Sequence, residues 1–308
     1  MQYCNRLLCG DALDILRVIP DETVDMCLTS PPYYGLRDYG VRGQLGQEET
    51  PQAYIDRLRL IFAEVHRVLK PSGTLWLNIG DSYAGSMQGA GTKAPSAKQR
   101  SNHGTRYMME ASHKSPLRKL EGYKPKDMLG IPWHLAFTLR QDGWFLRQDI
   151  IWNKPNVLPS SVKDRCTSSY EHVFLLAKSK RYFFDSDAIK EPAKYAGDNR
   201  GSRKDARRGQ NMNAMRGKTG AYRNKRDVWS INTEPFKGAH FACFPTRLAE
   251  TCILAGCPEG GLVLDPFMGA GTTALTAITL HRHYVGIELN PDYISLARER
   301  INKRRDDL

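Results

Sequence analysis

Short apolar runs alternate along this chain with longer stretches whose apolar positions recur at helical spacing. That alternation predicts strands separated by helices. Residues 6–9 read as a short buried strand. Gly10 follows, then Asp11, whose carboxylate suits the N-cap of a helix running through Leu16. Residues 24–28 form the next apolar run and the next strand. Thr50-Pro51 pairs a capping residue with a proline in the first helical position. Ile55, Leu58, Ile61, Phe62, Val65 and Leu69 share one face of the helix that follows. Pro71-Ser72-Gly73 is expected to end that helix, and residues 74–79 to form a third strand. Strand, helix, strand, helix, strand predicts a parallel sheet with right-handed crossovers.

The rhythm resumes later in the chain. A helix is expected over 132–141 and strands over 144–152 and 171–177, with 181–185 a further strand and 153–169 an exposed loop. Residues 228–231 read as a short strand, and 245–255 as a helix with Leu248, Cys252 and Ala255 on one face. A strand over 261–265, a helix to about Leu280, a strand over 284–289 and a final helix from Pro291 complete the pattern.

Two segments, 84–126 and 193–226, break it. The first carries nine Lys/Arg against two Glu, a net +7, and the second eleven Lys/Arg against two Asp, a net +9. The whole chain of 308 residues carries +12, so the remainder is acidic, at −4. Positive charge gathered into two glycine-bearing loops, with Tyr107 and Tyr222 among the basic residues, points to a nucleic-acid partner. A solvated surface is the plainer reading of the same runs. The seven cysteines include no C-x-x-C pair. They predict reduced core residues and neither a disulfide frame nor a metal site. No basic-then-apolar leader opens the chain and no run reaches the length of a membrane span, so a cytoplasmic location is expected.

Candidate chemistry concentrates at two turns. Thr29-Ser30-Pro31-Pro32-Tyr33 follows the strand over 24–28, and its two prolines forbid both helix and ladder pairing. The carbonyls of Ser30 and Pro31 have no N–H on the next residue. With the Ser30 hydroxyl they can accept hydrogens from an exocyclic amine, while Tyr33 stacks on the ring that bears it. An ordinary strand-ending turn with a packed tyrosine fits the same letters. The second turn, Asp265 to Thr273, joins a strand to a helix through a Gly-x-Gly bend, and Glu288 lies 23 positions after Asp265. That reads as a nucleotide-binding arrangement, with an acidic side chain for ribose hydroxyls, although a tight strand-to-helix turn with a surface Glu fits the same letters. The third glycine of a dinucleotide fingerprint is missing, since position 274 is Ala, although Ala is a permitted variant there. A carboxylate at the strand tip repels a pyrophosphate and suits an ammonium. Both features favour S-adenosylmethionine over NAD.

D-P-F-M-G-A-G-T-T (265–273), V-G-I-E-L-N (285–290) and T-S-P-P-Y (29–33) together resemble the amino-methylating DNA methyltransferases, and their order resembles the β group. G-D-A-L-D-I-L (10–16) is similar to that group's motif III. R-V-L-K-P-S-G-T-L-W-L-N-I-G-D (67–81) resembles the helix and strand after its catalytic turn. H-F-A-C-F-P (240–245) sits where its motif X precedes the cofactor motif. The resemblance covers most of the chain outside the two basic segments.

It implies a Rossmann-like α/β methyltransferase fold: a mostly parallel sheet, helices on both faces, a circularly permuted motif order and basic loop insertions. Residues 1–83 and 127–192 become the catalytic half, interrupted by the insertion 84–126. Residues 193–226 become the candidate target-recognition region, and 227–308 the S-adenosylmethionine-binding half. Asp265, Phe267, Gly269, Gly271 and Thr272 are expected along the cofactor, with Pro266 and Asn290 beside them. Glu288 is expected at its ribose, Asp11 at its adenine amine and Phe244-Pro245 at its methionine end. Ser30, Pro31, Pro32 and Tyr33 are the implied catalytic residues, and the strand before Ser30 is expected beside the strand before Asp265. The implied substrate is double-stranded DNA, methylated on cytosine N4 in preference to adenine N6 because Ser occupies position 30. Other readings are a non-catalytic nucleic-acid binder and a methyltransferase for RNA or a protein glutamine. Cytosine C5 chemistry is disfavoured, since no proline of this chain precedes a cysteine. Homodimers are common in the group, and a cognate restriction endonuclease belongs to the same kind of system without being a physical partner.

Overall fold

The structure is a computed structural model that describes residues 3–36, 39–85, 120–193, 221–234 and 244–306. In chain order its elements are β1 (Arg6–Cys9), α1 (Ala12–Val18), β2 (Val24–Thr29), α2 (Pro51–Val68), β3 (Leu69–Ile79) and α3 (Ile131–Gln141). Next come β4 (Phe145–Asn153), β5 (Tyr170–Ala177), β6 (Glu191–Pro192), β7 (Tyr222–Arg223) and β8 (Val228–Ser230). The last are α4 (Thr246–Gly256), β9 (Leu262–Asp265), α5 (Thr272–Thr279), β10 (His283–Glu288) and α6 (Pro291–Asp306). Eight strands form one sheet in the order β1-β10-β9-β2-β3-β5-β4-β8. β5 alone is antiparallel to its neighbours, and the other pairings are parallel. β2 and β9 are adjacent, with Cys27 opposite Leu264, so the two distant turns leave the same edge of the sheet.

Period-two alternation sorts the strand residues between two cores. Leu75, Leu77, Phe174 and Leu176 face one, with Leu16 of α1, Leu58 and Phe62 of α2 and Leu135 of α3. Trp76, Val173 and Leu175 face the other, with Leu248 and Cys252 of α4, Ala274 of α5 and Ile301 of α6. A sheet buried on both faces explains why its central strands read as continuous apolar runs. Both sequence-predicted caps form. Asp11 accepts from the Leu13 and Asp14 amides at 2.9 and 3.3 Å, and Thr50 from the Ala53 amide at 3.1 Å.

Several boundaries differ from the sequence reading. The helix α2 stops at Val68, before Pro71-Ser72-Gly73, and Leu69 already pairs with Val24. The ladder then jumps from Val24↔Leu69 to Met26↔Thr74, so Pro71 sits in a bulge where its missing N–H costs no ladder bond. Residues 181–185 are not a strand. The Phe183 amide donates to the Ser72 carbonyl and the Asp185 amide to the Ala255 carbonyl, so the segment bonds to two separate partners and forms no ladder. Cys27, Cys252 and Cys257 are core residues, but Cys9 and Cys166 are exposed, contrary to the expectation for them.

The middles of both basic segments, 86–119 and 194–220, lie outside the described residues. Their bases are within them and are closed. Ala84 and Lys126–Asp127 exchange backbone hydrogen bonds of 2.8 Å, next to a bridge between Tyr83 and Met128. β6 pairs antiparallel with β7 below the second. Arg223 and Arg226 both donate to Glu191 at 2.9 Å, so these two charges hold the base of the insertion together. Among the described residues no helix is long and apolar enough to cross a membrane.

Candidate active site

Parallel strands bring their carboxyl ends to one edge, and the loops leaving that edge enclose a cavity of about 470 Å³. One wall comes from Gly10 and Asp11 after β1 and from Glu288, Leu289 and Asn290 after β10. Pro266, Phe267 and Gly269 after β9 form the middle, with Phe244 before α4. Ser30, Pro31, Pro32 and Tyr33 after β2 form the far end. The two turns touch directly. The Thr29 hydroxyl donates to Asp265 Oδ1 at 2.6 Å, across 236 residues of sequence.

Asp265 anchors this junction from behind the cavity wall. It is 2% exposed, and both its oxygens bond to the protein: Oδ1 accepts from Thr29 and from the Phe267 amide at 3.0 Å, and Oδ2 from the Thr273 hydroxyl at 2.6 Å. Burial pushes its carboxyl up to about 6, against the opposing pull of those three donors. From the sequence Asp265 is expected to face an ammonium; in this structure its carboxylate ties β2 to the start of α5. Gly271 and Thr272 are not among the residues that line the cavity. Gly271 has φ +85°, and a side chain there would meet Ala297 Cβ at 3.1 Å, so close packing on α6 demands this glycine. Thr272 opens α5 and is buried. Pro245 is the N-cap position of α4, also away from the cavity lining.

Glu288 does face the cavity, and its carboxylate is held by two backbone amides. Gly269 donates to Oε2 at 2.9 Å and Asn290 to Oε1 at 2.8 Å. Each oxygen keeps a further lone pair for a ligand hydroxyl. Burial pushes this carboxyl up from its ordinary value, more than the amide bonds pull it down. Asn290 lines the cavity, while its side-chain oxygen accepts from the Asp292 amide at the start of α6. Asp11 caps α1 as its sequence position suggests, and it is also among the residues that border the cavity.

The proline corner is clamped from several sides. Tyr54 of α2 donates to the Pro32 carbonyl at 2.7 Å, and the Ser82 hydroxyl to the Tyr34 carbonyl at 2.7 Å. Gly80, at the end of β3, leaves room for Tyr33: a Cβ there would lie 2.8 Å from the tyrosine ring. The Tyr33 hydroxyl donates to Glu171 Oε2 at 2.6 Å and receives Ser30 Oγ at 3.4 Å. Asn78 Nδ2 donates to the same Glu171 oxygen at 3.0 Å, and Lys154 is paired with the other. Burial first, then the neighbouring Glu171 charge, pushes the Tyr33 phenol well above its ordinary value.

Sequence reasoning did not single out Asn78, Lys154 or Glu171. Asn78 had a signal, since it sits near the tip of a predicted strand. Glu171 had none: it stands near the start of β5, and only the reversed direction of that strand carries it to the edge where the others end. Lys154 follows β4, whose Asn153 pairs with Tyr170.

Comparison with known proteins agrees with this geometry. Residues 24–299 match the N6/N4 methyltransferase family model, described as DNA methylase. The Type II methyltransferase M.SmaI of Serratia marcescens is 48% identical over 300 residues, covering 97% of this chain and 91% of that protein. M.Cfr9I of Citrobacter freundii is 46% identical, covering 95% of this chain and 86% of that protein. Among solved structures, the fold is shared with the PvuII DNA methyltransferase (cytosine-N4-specific), at TM-score 0.63 and 18% identity, over 97% of this chain and 90% of that one. It is shared too with a Thermus thermophilus protein, TTHA0409, solved with S-adenosyl-L-methionine, at TM-score 0.59 and 23% identity, over 97% and 94% of the two chains. A permuted Rossmann-like sheet, one cavity joining both turns and these relatives lead to one conclusion: the chain belongs to the N6/N4 DNA methylase family, as an S-adenosylmethionine-dependent, amino-methylating DNA methyltransferase.

Proposed function

We propose that this protein methylates the exocyclic N4 amine of cytosine in duplex DNA, taking the target base out of the helix because its amine is otherwise paired. The observation that supports this most directly is a hydroxyl at Ser30, bordering the cavity that Glu288 also lines. In the family the chain resembles, Ser before the Pro-Pro-Tyr corner goes mostly with cytosine N4, and Asp with adenine N6.

The cavity suits S-adenosylmethionine by its donor set. A carboxylate with open lone pairs stands ready for ribose hydroxyls at Glu288, Asp11 for the adenine amine, and the rings of Phe267 and Phe244 for apolar parts of the ligand. The cofactor supplies an electrophilic methyl group. Ser30 Oγ and the Pro31 carbonyl accept the two amine hydrogens of the target base, which draws the nitrogen lone pair out of conjugation. Tyr33 and the stiff corner fix the base, so alignment provides most of the gain. The segment 193–226 is the region we assign to target recognition, with 84–126 closing over DNA. A cognate restriction endonuclease in the same system is the companion we expect, without being a physical partner.

The test is mass spectrometry of nucleosides from DNA treated with the protein and S-adenosylmethionine. N4-methylcytosine is expected. N6-methyladenine would move the target to adenine, and unmodified DNA would defeat the reading.

A further inference from the structure

A polar cluster beside Ser30 is larger than a base-binding corner requires. The Ser30 hydroxyl donates to Tyr33 at 3.4 Å, and the Tyr33 hydroxyl donates to Glu171 at 2.6 Å. Asn78 holds the accepting Glu171 oxygen at 3.0 Å, and Lys154 neutralises the carboxylate from the other side. Lys154 is itself placed over the Trp152 ring, 4.6 Å from its centre. Glu171 and Lys154 side chains are each only 16% exposed. A buried ion pair contributes little net stability, so its presence beside a reacting amine calls for a chemical reason.

We propose that Glu171 is a positioning residue that ends a hydrogen-bond relay from Ser30 through Tyr33, and that it receives the proton shed by the target amine. The relay has two consequences. With its hydrogen directed to Tyr33, and Tyr33's to Glu171, Ser30 Oγ turns only lone pairs toward the amine. It also balances the reaction. As the nitrogen–carbon bond forms, the carbon–sulfur bond breaks and its electron pair stays on sulfur, so the nitrogen must lose one proton. That proton passes to Ser30 Oγ while the serine proton moves to the Tyr33 oxygen and the tyrosine proton to Glu171 Oε2. Glu171 ends neutral and later returns its proton to water. The inference rests on the methyltransferase reading above and holds for cytosine N4 or adenine N6 alike, since both are exocyclic amines.

The relay makes Glu171 and Tyr33 one functional unit, which a double-mutant cycle tests. Enzyme in excess, tritiated S-adenosylmethionine and genomic DNA give the single-turnover rate. Glu171→Gln and Tyr33→Phe should each slow transfer by about 100-fold, the low end of general acid–base effects. The double variant should also lose about 100-fold, and Glu171→Asp should recover part of the loss. Independent roles would multiply to about 10⁴-fold, and that result, or full activity of Glu171→Gln, would overturn the proposal. A second readout needs neither cofactor nor DNA. In protein labelled at the tyrosine ζ-carbon, the resonance missing from Tyr33→Phe should carry a hydroxyl deuterium shift and move in Glu171→Gln. A Tyr33 resonance indifferent to Glu171 would break the relay even if a variant folds poorly. Inactive wild-type enzyme, in contrast, would defeat the methyltransferase reading itself.

Discussion

The bend around Asp265 and the corner around Ser30 lie side by side and are held in opposite ways. In the bend, polar groups are met mainly by neighbours in sequence. Asp265 takes the Phe267 amide two residues on and the Thr273 hydroxyl eight on, and Glu288 takes the Asn290 amide two on. In the corner, Tyr33 reaches Asn78 across 45 residues and Glu171 across 138. The bend is thus a support built mainly on short-range bonds, with one long-range tie, from the Thr29 hydroxyl to Asp265. The corner becomes a chemical site only when β3, β4 and β5 have assembled around it. Replacements in the first should act through stability and cofactor binding, and in the second through chemistry.

The largest effect should fall on the corner. Ser30→Ala removes the acceptor we assign to the target amine, and single-turnover transfer should drop on the order of 10³-fold, as for loss of one preorganised polar contact at a reacting centre. Cofactor affinity, measured by calorimetry, should stay near normal. A parallel loss of affinity would merge the two regions that the comparison separates.

A smaller effect, in stability, is expected at Asp265. Its folded-state carboxyl is raised from 3.8 to about 6, so the folded chain holds the proton more tightly than the unfolded one. The stability this adds is fully present below pH 3.8 and is lost as pH rises through about 6. The two-unit shift corresponds to roughly 3 kcal/mol. Urea unfolding at several pH values should show that decline in the wild type and a flatter profile in Asp265→Asn. Equal slopes would mean that Thr29, Thr273 and the Phe267 amide hold the group ionised throughout.

The smallest effect belongs to Asp11. Loss of the cap in Asp11→Ala should cost about 1 kcal/mol, while Asp11→Asn, which can still cap, should cost a few tenths. Comparing cofactor affinities of the two variants separates the cap from the expected adenine contact.

Much of the fold was legible because its signals are local. Asp11 and Thr50 cap the predicted helices, and the apolar runs before Ser30 and Asp265 do become neighbouring strands. The misreadings have local causes as well. Proline and glycine at 71–73 look like a helix stop, but pairing of Leu69 with Val24 ends α2 earlier and places them in a bulge. Residues 181–185 have strand-like composition, yet their amides bond to Ser72 and Ala255. At the site, Glu288, Phe267 and Gly269 line the cavity, whereas Gly271 carries the same glycine signal and packs against Ala297.

The order of residues alone picked out the turns that line the cavity, because a proline pair, a Gly-x-Gly bend and a strand-end carboxylate each act through their own backbone. Only the tertiary structure decided what those turns face. Asp265 turned inward because Thr29 and Thr273 surround it, and Glu171 joined the corner because β5 runs against β3. Strand direction is set by pairing between segments far apart in the chain, and no local pattern of residues records it.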